Sequence, residues 1–255
     1  MIMFELDVLG GPMALRWSGQ SVSLRPMERA VMLALLCAKG HTLSTAKLVS
    51  QLWGRDPGDS GTRTLASHVA HIRRALRAAA GDDRLLVSDS VRGGVDYRLT
   101  IEPECVDAFR LERQVAVGCR MFEQGLPENA VTVLDAALAL WRGTPLADVE
   151  GWPFARPEIA RLTNLYRTAC ITSMEARMAL GRHREAVGTL EDMAAEWPGD
   201  SRVWQLLVVS LHHSYRDDEA SAACARAISA FRDRGLNLSR LQKLQYDVLN
   251  GLLPH

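Results

Sequence analysis

Residues 63–76 read RTLASHVAHIRRAL, and how this stretch is read decides the fold. Leu65, Val69, Ile72 and Leu76 recur at steps of four, three and four, the stripe of a helix buried along one side. The opposite face carries Arg63, Ser67, Ala70, His71 and Arg74, with Thr64 and His68 along one edge and Arg73 and Arg77 along the other. Small residues there permit close approach to a flat surface, and arginines suit phosphates or guanine edges. Taken alone, that face also reads as an ordinary solvated surface. The elements around it change the reading.

Upstream, MFELDVL, MALRW and VSL are short strand-like runs separated by GGP and SGQ, which predicts an antiparallel meander. RPMERAVMLALLCAKG predicts a helix with Pro26 in its first turn and Gly40 after its end. STAKLVSQLW predicts a second, capped by Ser44 and stopped at Gly54. GRDPGDSG, residues 54–61, has loop composition. Downstream, RLLVSDSVRGGVDYRLTI predicts two strands around a turn at Arg92-Gly93-Gly94. Two helices, a third, then a hairpin is the winged variant of the helix-turn-helix plan. Arg92 at the wing tip is a candidate DNA contact, or simply a polar turn residue.

Pro103 marks a boundary, after which the chain is almost entirely helical in pattern. Ala186 and Ala220, each preceded by Glu, stand 34 residues apart, the period of a tetratricopeptide helix pair. FEQGLPENAVTVLDAALALW offers a third copy with Ala130 in the same place, 56 residues before Ala186, which requires an insertion such as RGTPLADVEGWPFARPE. Stacked arrays of this kind bind polypeptides. The expected fold is therefore mainly α with small β. A winged helix-turn-helix over residues 1–101 precedes an all-α tetratricopeptide-like domain over residues 102–255.

Composition agrees with a globular protein, 47% apolar and 24% charged. The net charge of zero hides an asymmetry: residues 1–100 hold 13 Lys and Arg against 9 Asp and Glu, the remainder 17 against 21. A basic half joined to an acidic half suggests two different partners, nucleic acid being one for the first. Five scattered cysteines fit a reducing compartment better than a disulfide framework. No signal peptide or membrane span is expected, so the cytoplasm is the expected location.

Chemistry-bearing motifs are few. His68 and His71 have a spacing that can share a metal, but no acid lies within reach on that helix and H-E-x-x-H is absent, so no metal is expected. Gly58-Asp59-Ser60-Gly61 matches the letters of a trypsin-like nucleophile loop, but those enzymes are double β-barrels; a helix-connecting loop suffices. No phosphate-cradling glycine motif occurs. Neither a cofactor nor catalysis is expected.

The arrangement VLG…VSLRP…AVMLALL, LSTAKLVSQLWGRDP, RTLASHVAHIRRAL and a wing ending YRL resembles the OmpR-type DNA-binding domain. Followed by ALALWRGTPLADV and ALGRHREAVGTLEDMAAEWPGD, the whole chain resembles the Streptomyces antibiotic regulatory proteins, or SARPs. The resemblance implies an activator that binds direct repeats in promoters of secondary-metabolite clusters as a dimer or more. It also implies contact with RNA polymerase and its sigma factor. Carried over by position, Ala66, Ser67, Ala70 and His71 face bases, with Thr64, Arg73, Arg74 and Arg77 at or near the backbone. The loop holding Arg55, Asp56 and Asp59 faces polymerase. The chain departs from the family at Ala70-His71, where members commonly carry Ser-Arg, and at GGVDYRL, two residues longer than the usual wing ending. Neither a receiver domain nor a nucleotidase domain is expected. A tetratricopeptide adaptor whose winged helix docks protein, and a repressor, stay open as alternatives.

Overall fold

The computed structural model describes residues 4–54, 58–80, 84–92 and 94–252, with the side chains of residues 58, 59 and 80 outside the described set. Two compact units emerge: Met1–Gln114 with Ala137–Tyr166, and Val115–Ala136 with Arg167–His255.

The first unit opens with β1 (Phe4–Asp7), β2 (Ala14–Trp17) and β3 (Gln20–Ser21), an antiparallel meander in that order. Trp17 pairs with Gln20, and the two residues between, Ser18 and Gly19, both take positive φ (46° and 81°). That two-residue reversal matches the twist of a hairpin. The expected third strand at Val22–Leu24 is displaced: pairing ends at Ser21, although Val22 N–H still donates to Leu15 O (2.8 Å).

Helix α1 (Pro26–Cys37) is buried on every side from Ala30 to Leu36, which marks it as the centre of this unit's core. Helix α2 (Thr45–Trp53) starts where Ser44 Oγ accepts Lys47 N–H and stops at Gly54, whose φ of 93° a side chain would resist. Helix α3 (Gly58–Ala80) packs on both. Strands β5 (Leu86–Val91) and β6 (Gly94–Leu99) form the expected hairpin. A short strand the sequence did not signal, β4 (Leu43–Ser44), pairs with β6 and completes a three-stranded sheet in the order β4-β6-β5.

Residues far along the chain complete this unit. Asp107, fully buried at the start of α4 (Asp107–Glu123), accepts hydrogen bonds from Val8 N–H (2.9 Å), Leu9 N–H (3.1 Å) and Arg142 Nη2 (2.7 Å). Burial pushes its carboxyl up, against the pull of those three donors. Asp148 accepts from Met13 N–H (2.6 Å) and from Arg29 Nε (2.9 Å). Arg142 N–H and Leu146 N–H donate to Leu9 O and Val8 O. Gly10 allows this close approach: a Cβ there would stand 2.4 Å from the Arg142 carbonyl carbon.

The second unit takes up most of α5 (Pro127–Leu138), the second half of α6 (Arg156–Ala179), and α7 (His183–Glu196), α8 (Ser201–His213), α9 (Asp217–Arg232) and α10 (Ser239–Leu249). Ala130, Ala186 and Ala220 are all fully buried, so the three sequence copies share one packing position. The turns before them match too. Gly125, Gly181 and Tyr215 each stand five residues ahead of the alanine with φ of 75°, 73° and 61°. In each the next N–H closes onto a carbonyl five residues back: Leu126 to Met121, Arg182 to Arg177, Arg216 to Leu211. No helix among the described residues is long and apolar enough to cross a membrane.

Candidate nucleic-acid interface

Leu65, Val69, Ile72 and Leu76 are at most 3% exposed, so the stripe that defines α3 is its buried side. Opposite it Arg63, Thr64, Ala66, Ser67, Ala70, Arg74 and Arg77 are exposed. Thr64 Oγ1 donates to Ser60 O (2.8 Å), which engages its hydroxyl within its own helix. Among the described residues no hydrogen bond or ion pair engages Arg63 or Arg74. Ser67 and Ala70 lie between these cations in sequence and leave the face low.

Two expected interface residues, His68 and Arg73, turn toward the protein instead, and a third, His71, touches the protein with one ring nitrogen. His68 stacks on Trp53 of α2, ring centroids 6.2 Å apart and planes 16° from parallel. Its Nδ1 is buried without a partner. Burial pushes its pKa down, opposed by Glu28 and aided by His71 and Arg25. Arg73 Nη2 donates to Leu86 O and to Ser88 Oγ, each at 3.0 Å, and so ties α3 to the first wing strand. His71 Nδ1 lies 3.3 Å from Oε1 of Glu28 in α1, its side chain 32% exposed. These contacts brace α3 from three directions. Thr45 Oγ1 donates to Val95 O (2.7 Å) and so joins α2 to β6.

At the end of the wing hairpin Val91 pairs with Gly94, and Arg92 is exposed there. Arg55 and Asp56 lie outside the described residues. The loop reading of Gly58–Gly61 is corrected, because α3 already begins at Gly58. Asp59 therefore stands in a helix's first turn rather than in a loop, its side chain outside the described set. The first four N–H groups of a helix have no intrahelical acceptor, so glycine, Asp and Ser suit a helix start as well as a loop.

Sequence reasoning missed Glu28 and Arg25. Arg25, Glu28, His71, Arg74 and Ala75 line one open groove beside α3. Glu28, only 4% exposed, also accepts Arg25 N–H through Oε2 (2.8 Å). An acid three residues after a helix's first boundary residue is a legible capping signal. Its second contact, across to His71, has no signature in sequence.

A low helix face bearing unpaired cations, braced on three sides and flanked by a wing, suits the docking of a duplex groove. Comparison with known proteins points the same way. Residues 19–94 match the family described as "Transcriptional regulatory protein, C terminal", and residues 106–249 match the "Bacterial transcriptional activator domain". The regulatory protein DnrI of Streptomyces peucetius is 30% identical over 254 residues, covering 97% of this chain and 92% of DnrI. The transcriptional regulator RedD of Streptomyces coelicolor is 31% identical over 218 residues, 85% of this chain and 61% of RedD. Among solved structures, Mycobacterium tuberculosis EmbR in complex with a low-affinity phosphopeptide superposes with a TM-score of 0.88 at 26% identity. The match covers 99% of this chain and 66% of the EmbR chain. An OmpR-type domain followed by a bacterial transcriptional activator domain, with relatives that are transcriptional regulators along its length, makes this chain a member of the SARP family.

Proposed function

We propose that the protein is a cytoplasmic transcriptional activator that binds direct repeats in promoter DNA as two or more copies and recruits RNA polymerase with its sigma factor. On this reading residues 1–101 recognise DNA and residues 102–255 serve activation, with a secondary-metabolite gene cluster as the regulated target. The α3 helix enters the major groove. Ala66, Ser67, Ala70 and His71 approach base edges, Arg63, Thr64, Arg74 and Arg77 meet the backbone, and Arg92 reaches from the wing. His68 and Arg73 act on DNA through the posture of α3, given their contacts with Trp53 and Leu86. The segment around Arg55, Asp56 and Asp59 faces polymerase. No step in this reading needs a cofactor or a chemical reaction.

The observation that carries the reading is the exposed pair Arg63 and Arg74 on a helix whose other side is buried. Released counterions make such binding steeply salt-dependent. Duplex binding by the full chain across a salt series tests it: affinity falls with salt, Arg74→Ala weakens binding to all sequences, and its salt slope is shallower by about one. Ser67→Ala changes base preference rather than overall affinity. Binding that ignores salt and all of these substitutions sinks the reading. Transcription reconstituted with purified polymerase then separates activation from repression.

A further inference from the structure

We infer that Glu28 is a positioning residue for specificity: by holding the proton on Nδ1 of His71, it makes the outward nitrogen of that ring a hydrogen-bond acceptor toward DNA. The inference rests on the proposal that α3 enters the major groove, and adds which base edges His71 selects there.

Glu28 is buried, with a side chain only 5% exposed, and both of its oxygens are committed. Oε2 takes the Arg25 N–H and Oε1 stands 3.3 Å from His71 Nδ1. A carboxylate accepts hydrogen bonds and cannot donate them. The contact is electrostatic rather than a formed hydrogen bond: a bare ring nitrogen there would turn its lone pair toward the carboxylate's charge, so Glu28 favours the proton on Nδ1. In the neutral ring Nε2 then carries a lone pair. Among the described residues no hydrogen bond engages Nε2, and the ring lines the open groove with Arg25 and Arg74.

An acceptor at this place selects donors. In the major groove these are the amino groups of cytosine and adenine, whereas guanine presents the acceptors N7 and O6. An arginine at the same position would make the opposite choice, since it only donates. The groups facing His71 are Glu28 from α1, Arg25 from the segment before it, and His68 and Arg74 from its own helix. Only Glu28 among them is an acceptor for Nδ1–H.

Glu28→Gln is the discriminating variant. Its amide oxygen still accepts Arg25 N–H, while its NH2 now faces Nδ1 and moves the ring proton to Nε2. The measurements use the full chain at about pH 8. Ring-nitrogen chemical shifts report the tautomer, and selection from a randomised duplex pool reports base preference. Wild type shows the Nδ1–H tautomer and a preference for cytosine or adenine at one position. Glu28→Gln shows the Nε2–H tautomer and loses that preference by about tenfold in favour of guanine or thymine at the same position. His71→Ala flattens it. An Nε2–H tautomer in wild type overturns the inference even if Glu28→Gln does not fold. So does an unchanged base preference in Glu28→Gln or His71→Ala while Arg74→Ala still weakens binding. If Arg74→Ala leaves duplex binding untouched, the groove-docking reading and this inference fall together, whatever the tautomer.

Discussion

Arginine is used in opposite ways on the exposed face of α3 and in the helical unit. On α3, Arg63 and Arg74 stand exposed with no carboxylate engaged among the described residues. In the helical unit Arg167, Arg177, Arg202, Arg216 and Arg226 meet Asp200, Asp135, Glu175, Glu219 and Glu191. Among the described residues Arg184 and Arg240 also lack a carboxylate partner, but they stand on separate helices, α7 and α10. The lesson is that a count of basic residues says little about where an anion binds. Neutralised arginines hold helices to each other, and only a row left unneutralised offers a field to a polyanion.

The largest expected effect breaks the most deeply buried pairing. Asp107→Ala leaves Arg142 and the Val8 and Leu9 amides without their acceptor, and should lower stability by about 3 kcal/mol in denaturant unfolding. A loss under about 1 kcal/mol would show that water replaces the carboxylate. Next, reversing both unpaired cations with Arg63→Glu and Arg74→Glu should weaken duplex binding on the order of 100-fold while thermal stability holds. Equal damage from Arg202→Ala would dissolve the contrast between the units. That substitution, at a pair whose arginine is 48% exposed, should instead cost under about 1 kcal/mol of stability and leave DNA affinity alone. Tyr215→Gly should stabilise the helical unit by about 1 kcal/mol, because a left-handed backbone strains every residue but glycine; an unchanged unfolding midpoint refutes the strain.

The smallest effect is a pH dependence shared by both units. Burial lowers the pKa of His68 in one and of His183, beside His213, in the other. The unfolded chain therefore binds these protons more readily than the folded one. The stability they contribute is full above about pH 6.5 and is lost as pH falls through their folded-state values. Urea midpoints measured on either side of that range should drop on the acid side, and less so in His68→Gln with His183→Gln. A midpoint that ignores pH rules this out.

Much of the architecture was legible because it is periodic. The stripe from Leu65 to Leu76, the alternating strands of the wing hairpin and the 34-residue offset between Ala186 and Ala220 each follow from geometry repeated along a local stretch. What stayed hidden is aperiodic. Two-residue β4 exists only because β6 lies beside it. The engagement of His68 by Trp53, of Arg73 by Leu86 and of His71 by Glu28 joins residues 13 to 43 positions apart, and nothing local announces any of them. The helix start at Gly58 was hidden for another reason, since loops and first turns favour the same residues.

The insertion that puts Ala130 out of register has a consequence for modularity. The stretch after α5 supplies Arg142, Leu146 and Asp148 to the amino-terminal sheet, and Asp107 anchors that sheet from the start of α4. The unit that carries α3 and the wing is thus discontinuous along the chain. A recombination event or a cloning cut at residue 101 would carry off α3 and the wing intact, yet strip the segment between β1 and β2 of its hydrogen-bond donors and acceptors. Grafting this reader onto another protein requires two segments of coding sequence, not one.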